Sequence, residues 1–275
     1  MVKPLIDKEI DGFYSLTSEN DRMKFGLGPL EFERNKELIQ RFLPSKGGVI
    51  ADIGGGPGIY SEWLARMGFA VYLVDPVEKH IVQAKARAAK VKNGFKCIRG
   101  ESQSIQLPDS IVDMVISHGP LYHLQDRVQR EKALHESFRI LKPGGIFLGW
   151  AINYTASTIV GLLQGVLQND DVFNMCLSEL TTGGHNAPES MPGILPKAFY
   201  HKPQELFDEV KGAGLVPLDM YAVEGIIWIE KNYFDVMGKA SKKEKLMQLL
   251  KISETDRNLL AISPHVMIAA RKPAG

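Results

Sequence analysis

The stretch that most constrains this chain runs from Val49 to Pro76, VIADIGGGPGIYSEWLARMGFAVYLVDP. An apolar run, four glycines in five positions and an amphipathic segment lead into a second apolar run. That is the pattern of a strand, a tight turn, a helix and a parallel strand. Asp52 precedes Gly54, Gly55, Gly56 and Gly58, and Asp75 and Pro76 close the second run. A glycine turn between strand and helix lets a ligand approach backbone where side chains would collide with it.

The alternation continues to about Ile152. Runs at 48–54, 70–75, 95–100, 111–118 and 146–152 read as strands, and 60–67, 78–90 and 127–141 as helices, the last ended by LKPGG. Such alternation predicts an α/β fold with a doubly wound, mostly parallel sheet of seven strands covered by helices on both faces. At 275 residues the chain allows one large core with insertions. We divide it into an N-terminal helical cover (1–45, with a helix over 31–42), a ligand-binding core (46–152), a lid (153–200) and a C-terminal part that completes the sheet (201–275). The lid combines a candidate helix, TASTIVGLLQGVLQ, with the Gly- and Pro-rich TTGGHNAPESMPGILP, and a loop of that length usually serves binding. The last part offers a helix, KPQELFDEVKGAG, and strands in LVPLDMYAVEG and HVMIAARK. Between those strands a helical insert at 228–260 carries Ile229, Phe234, Val236, Met237, Leu246, Leu249 and Leu250, expected to pack on the core.

Composition narrows the function. Lys and Arg number 33 against 32 Asp and Glu, so no broad nucleic-acid surface is indicated. Cys97 and Cys176 form neither a disulfide framework nor a CxxC metal site, and no His or carboxylate spacing suggests a metal. No stretch reaches the roughly 18 apolar residues of a membrane span. The opening MVKPLIDKEIDGFY interrupts its apolar residues with charges, unlike a signal peptide, so a cytoplasmic protein is expected.

The glycines do not follow the dinucleotide fingerprint, because the sixth position counted from Gly54 is Ile59. That disfavours a nicotinamide dehydrogenase. Asp52 can order the turn or meet an ammonium group, and Asp75, at the carboxyl end of the second strand, suits ribose hydroxyls. A ligand joining an amino acid to a nucleoside without a pyrophosphate satisfies both, and S-adenosylmethionine (SAM) is such a ligand.

ADIGGGPG, the acidic residue of LVDP, LPDSIVDMVISHGPLYHL and ESFRILKPGG resemble the successive motifs of class I SAM-dependent methyltransferases, of the small-molecule type. The resemblance implies SAM as cofactor, S-adenosylhomocysteine (SAH) as product, and a contribution from Gly100, Glu101 and Ser102 on the adenine side. Glu101 departs from the Asp usual there. Ser117, His118 and Gly119 are implied on the methionine side. His123 or Tyr122 is expected to face the acceptor, where a histidine can take a proton at neutral pH. Arg22 and Arg34 are candidates to clamp a carboxylate. His185, His201 and Glu224 are further candidates for the substrate side. The leading expectation is methyl transfer to O or N of a small molecule by a monomer or homodimer. The alternatives are a SAM-binding regulatory protein and a methyltransferase acting on proteins.

Overall fold

The computed structural model describes residues 5–274; the first four residues of the N-terminal cover, and of the segment read as no signal peptide, lie outside it, as does Gly275. The strands are β1 (Val49–Ile53), β2 (Ala70–Asp75), β3 (Lys96–Arg99), β4 (Val112–Ser117), β5 (Leu141–Asn153), β6 (Gly184–Asn186), β7 (Lys197–His201), β8 (Val216–Ala222) and β9 (His265–Arg271). β1 to β5 are parallel in the order β3-β2-β1-β4-β5. β9 adds antiparallel to β5, and β8 antiparallel to β9.

These seven strands are the expected sheet. The expectation falls short by two, because β7 pairs in parallel with the end of β5 at Ile152–Tyr200 and Asn153–His201, and β6 pairs antiparallel with β7. The extra ribbon depends on the length of β5. LKPGG, read as a helix stop, is the first part of that strand, and the helix before it ends at Ile140.

Strand alternation assigns the core to two faces. Ala51, Val115 and Phe147 turn to one side with Leu134, Leu206 and Val210, while Ile50, Met114, Ile116 and Leu148 turn to the other with Leu38, Leu64 and Ile81. The helices Arg127–Ile140 and Pro203–Gly212 therefore cover one face. Gly28–Gln40, Ile59–Arg66 and Glu78–Ala88 cover the other.

The N-terminal cover contains the helices Lys8–Leu16 and Glu19–Arg22 ahead of Gly28–Gln40. The lid is more regular than its composition suggests: Ala156–Gln164 is followed by a second helix, Asp170–Thr182, capped by the Asn169 side chain and closed by Gly183 in the left-handed region. In the insert, short 3-10 turns at Gly225–Ile229 and Leu260–Ile262 flank the helices Tyr233–Met237 and Ala240–Ser253. The apolar stripe there divides. Leu250 is buried and Leu246 and Met237 pack against the cluster of Leu30 and Trp228, but Ile229, Phe234 and Leu249 are exposed.

Candidate active site

The loops at the carboxyl ends of β1, β2, β3 and β4 meet the N-terminal cover around a cavity of about 560 Å³. In an open parallel sheet this is where ligands bind, beside the point at which strand order reverses. Gly54, Gly55 and Gly56 line it, with Asp75, Pro76, Gly100, Glu101, Ser102, His118, Gly119, Tyr122 and His123.

The glycine turn is built for close packing. Gly54 has φ +73°, and a Cβ there would lie 2.7 Å from Cδ of Pro120. Gly58 has φ +83° and abuts Phe95, on the side away from the cavity lining. Asp52 also lies behind the turn. It is fully buried, accepts a 2.6 Å bond from Ser61 Oγ, and is absent from the cavity wall, so its carboxylate orders the turn and does not reach a ligand ammonium. Burial pushes its pKa up to about 6, against the bond from Ser61.

Asp75 does line the cavity, but most of its acceptor capacity is already committed. Oδ2 accepts from Gly56 N, and Oδ1 accepts from Val77 N and faces His80 Nδ1 at 3.0 Å. A carboxylate has about four lone-pair sites, so one remains on Oδ2 for a ligand hydroxyl. Residues 102–107 form a turn and irregular backbone with no helix.

After β4, Gly119 opens the one-turn helix Pro120–His123. His118 is stacked between Tyr60, at 5.0 Å and 14°, and Trp150, at 4.1 Å and 12°. His123 Nε2 meets Tyr14 Oη at 2.9 Å. Burial lowers both imidazoles to about 3, so both are neutral near pH 7. Burial likewise raises the Tyr122 phenol. The Nδ1 atoms of His118 and His123 are buried without a protein partner.

Several candidates serve the fold. Ser117 is buried at the end of β4 and is outside the cavity lining. Arg34 is wholly buried, bonded to Val223 O, Glu37 and Glu254. His185 bridges Glu179 and Leu195 O beneath Tyr200, and His201 faces Glu209. Glu224 holds Ser263, His265 N and His265 Nδ1. None of these four lines the cavity. Arg22 does, but its guanidinium is bidentate to Glu31 and also bonded to Glu19. Burial tends to raise Glu31, and Arg22 with His265 and His118 outweighs it, holding the carboxyl at about 2. Side-chain N and O atoms of Glu31, Glu224 and His265 lie within 4.8 Å of one another, a grouping that no local spacing signals. With Arg22 holding both Glu31 oxygens, it is an internal charge network.

Residues that spacing alone did not single out also line the cavity, Tyr14 and Glu19 from the cover and His80, Gln103, Gln125, Gln129 and Lys197 from later in the chain. His80 is the one with a detectable signal, five residues beyond Asp75 on the first turns of a helix.

Residues 51–149 match the sequence pattern of a family described as a methyltransferase domain. Over 126 residues the chain is 35% identical to a ubiquinone biosynthesis O-methyltransferase of Paramagnetospirillum magneticum, covering 46% of this chain and 47% of that protein. Its similarity to a protein of the same name from Cereibacter sphaeroides is 25% over 189 residues, 69% of this chain and 67% of that one. The chain thus spans about half the length of the first of these relatives and two thirds of the second. In fold, the chain resembles SAM-dependent methyltransferases of Methanosarcina mazei (TM-score 0.61, 17% identity, 86% of this chain and 98% of that one) and Mesorhizobium loti (0.60, 16%, 88% and 100%).

The cavity fits SAM. Asp75 keeps an acceptor site for a ribose hydroxyl, Gly56 offers backbone with nothing within 4 Å of where a Cβ would stand, and His118 adds an unpaired polar atom. Among the described residues no helix is long and apolar enough to cross a membrane.

Proposed function

We propose that this protein moves the methyl group of SAM to an oxygen of a small-molecule acceptor. The observation that carries the reading is the cavity: the glycine turn and Asp75 share one chamber with Tyr122 and His123, under the helix Lys8–Leu16. A covered chamber suits a small acceptor, whereas a protein side chain would need an open groove. The names of the relatives supply the preference for oxygen over nitrogen. Balanced charge favours a small acceptor over a polyanion, and the two free thiols accord with a reducing cytoplasm.

When bound, the sulfonium supplies an activated methyl group and a good leaving group for in-line displacement. The chain's task is alignment, which is worth roughly 7–11 kcal/mol when reactants are well oriented. Asp75 and the glycine turn hold the nucleoside end. Tyr122 and His123 form the wall on which the acceptor rests, and Tyr14 fixes the His123 ring. An imidazole at about 3 is a weak base, so His123 orients the acceptor and favours one that arrives as an anion.

Calorimetry with SAM, SAH and NAD, followed by turnover assays on small phenols and catechols, tests the proposal. Micromolar binding of SAM and SAH with methylation of a small acceptor supports it. NAD binding with neither sulfur ligand overturns it, and SAM binding with a cavity that no small acceptor enters leaves the regulatory reading in its place.

A further inference from the structure

We infer that His118 is a fixed, neutral hydrogen-bond donor for the carboxylate at the amino-acid end of the cofactor, its proton held on Nδ1 by a relay from Trp150 through Asn35. The inference rests on the SAM reading above.

The relay follows from which groups can donate. An indole N–H has no acceptor function, and Trp150 Nε1 lies 2.8 Å from Asn35 Oδ1. That contact fixes the orientation of the Asn35 amide. Its Nδ2 then presents two hydrogens, to Tyr60 Oη at 3.1 Å and to His118 Nε2 at 3.0 Å. A ring nitrogen that receives a hydrogen bond carries a lone pair, so a neutral His118 holds its single proton on Nδ1. The stack between Tyr60 and Trp150 keeps the ring from turning over.

Nδ1 is the atom left without a protein partner, and His118 lines the cavity. Its carbonyl oxygen stands 3.5 Å from where a Cβ on Gly54 would be, placing the residue against the glycine turn. Cations near the cavity are already committed: Arg22 to Glu19 and Glu31, Lys197 to Asp7 and Glu9, and Lys79 to the carbonyls of Tyr14, Ser15 and Thr17. An anionic group at this wall therefore meets neutral N–H donors. Of the cofactor's polar groups, the ribose hydroxyls suit the acceptor Asp75, the ammonium is itself a donor, and the carboxylate only accepts. The Nδ1–H is complementary to the last, and a bond to an ionised acceptor is the stronger kind. His118 in this state cannot serve as a general base, because its lone pair is occupied by Asn35.

The test joins a spectroscopic readout with binding. Nitrogen-15 NMR of the wild type should show His118 protonated on Nδ1 and unchanged between about pH 5 and 8. Asn35→Asp, which offers the ring an acceptor, should move the proton to Nε2. By calorimetry, His118→Phe should keep a stacked ring and weaken SAH by about tenfold or more. Methylthioadenosine, which lacks the amino-acid end, should bind His118→Phe and wild type alike. His118→Asn returns an N–H near the position of Nδ1 and should recover much of the lost SAH affinity. A proton on Nε2 in the wild type overturns the inference, as does SAH affinity equal in wild type and His118→Phe, or a parallel loss of both ligands. Wild type that binds neither ligand overturns the SAM reading itself. If His118→Phe does not fold, the wild-type tautomer and the Asn variant still decide.

Discussion

Tyr14 and His123, 109 residues apart in sequence, share a hydrogen bond of 2.9 Å at the wall of the cavity. It joins the N-terminal helix Lys8–Leu16 to the turn after β4, and the Tyr14 ring also stands edge-on to His80 at 5.1 Å. Tyr14→Phe keeps both ring contacts and removes only the bond. We expect about 1 kcal/mol less stability and a several-fold faster release of SAH in stopped-flow displacement. An unchanged release rate would show that the helix does not retain the ligand.

Asp75→Ala removes the acceptor for Gly56 N, Val77 N and His80 together. Buried donors left unpaired cost about 1–3 kcal/mol each, so the glycine turn should loosen along with the loss of the acceptor proposed for the ribose. Calorimetry should find SAH binding abolished while circular dichroism still reports a folded sheet. Retained micromolar SAH binding would contradict the placement of the nucleoside.

Stability should depend on pH through Asp52. Its pKa is about 6 in the folded protein against an ordinary 3.8, so the protonated form is favoured by folding. Its contribution is whole below pH 3.8 and is lost as pH rises through about 6. Asp52→Asn should therefore gain on the wild type between about pH 4 and 7, by at most about 3 kcal/mol. His118 and His123 act with the opposite sign. Folded values near 3 against an ordinary 6.5 mean that their contribution, present above pH 6.5, is lost as pH falls toward 3. Denaturant unfolding at stepped pH checks both, and a pH-independent gap between wild type and Asp52→Asn would refute the first.

Arg130 joins the core to the lid ribbon. Buried, it is bidentate to Glu209, donates to Leu124 O and Gln125 O, and lies 3.6 Å over the Phe199 ring of β7. Removing one partner of such a pair strands the other charge, so Arg130→Ala should cost about 3–5 kcal/mol. Thermal unfolding measures it, and a loss under about 1 kcal/mol would show that the pair is solvated.

The sheet was legible from Val49 onward because a buried parallel sheet needs near-continuous apolar strands and the glycine turn has no cheap substitute. Asp75 and Tyr122 line the cavity as their places in the chain suggest, one ending β2 and the other in the turn of helix after β4. Arg34, His185, His201 and Glu224 misled because a polar residue in a loop-like sequence has the same letter whether it faces a ligand or a buried carboxylate. Asn35 and Trp150 gave no sign at all. Their meeting depends on the packing of a helix from the cover against β5, a contact across 115 residues that no local spacing encodes.

The length of β5 bears on ligand traffic. One strand is bonded to β4 and β9 in the core and, at its last two residues, to β7 of the lid. The ribbon of β6 and β7 is therefore continuous with the sheet, and we expect it to move less than the N-terminal helix does. The helix Lys8–Leu16 is tied to the rest by side chains: Tyr14 to His123, Lys79 to carbonyls at its end, and Lys197 to Asp7 and Glu9 just before and within it. We therefore expect entry and exit along the N-terminal edge, and amide exchange in Lys8–Leu16 should slow when SAH binds while β7 stays as protected as before.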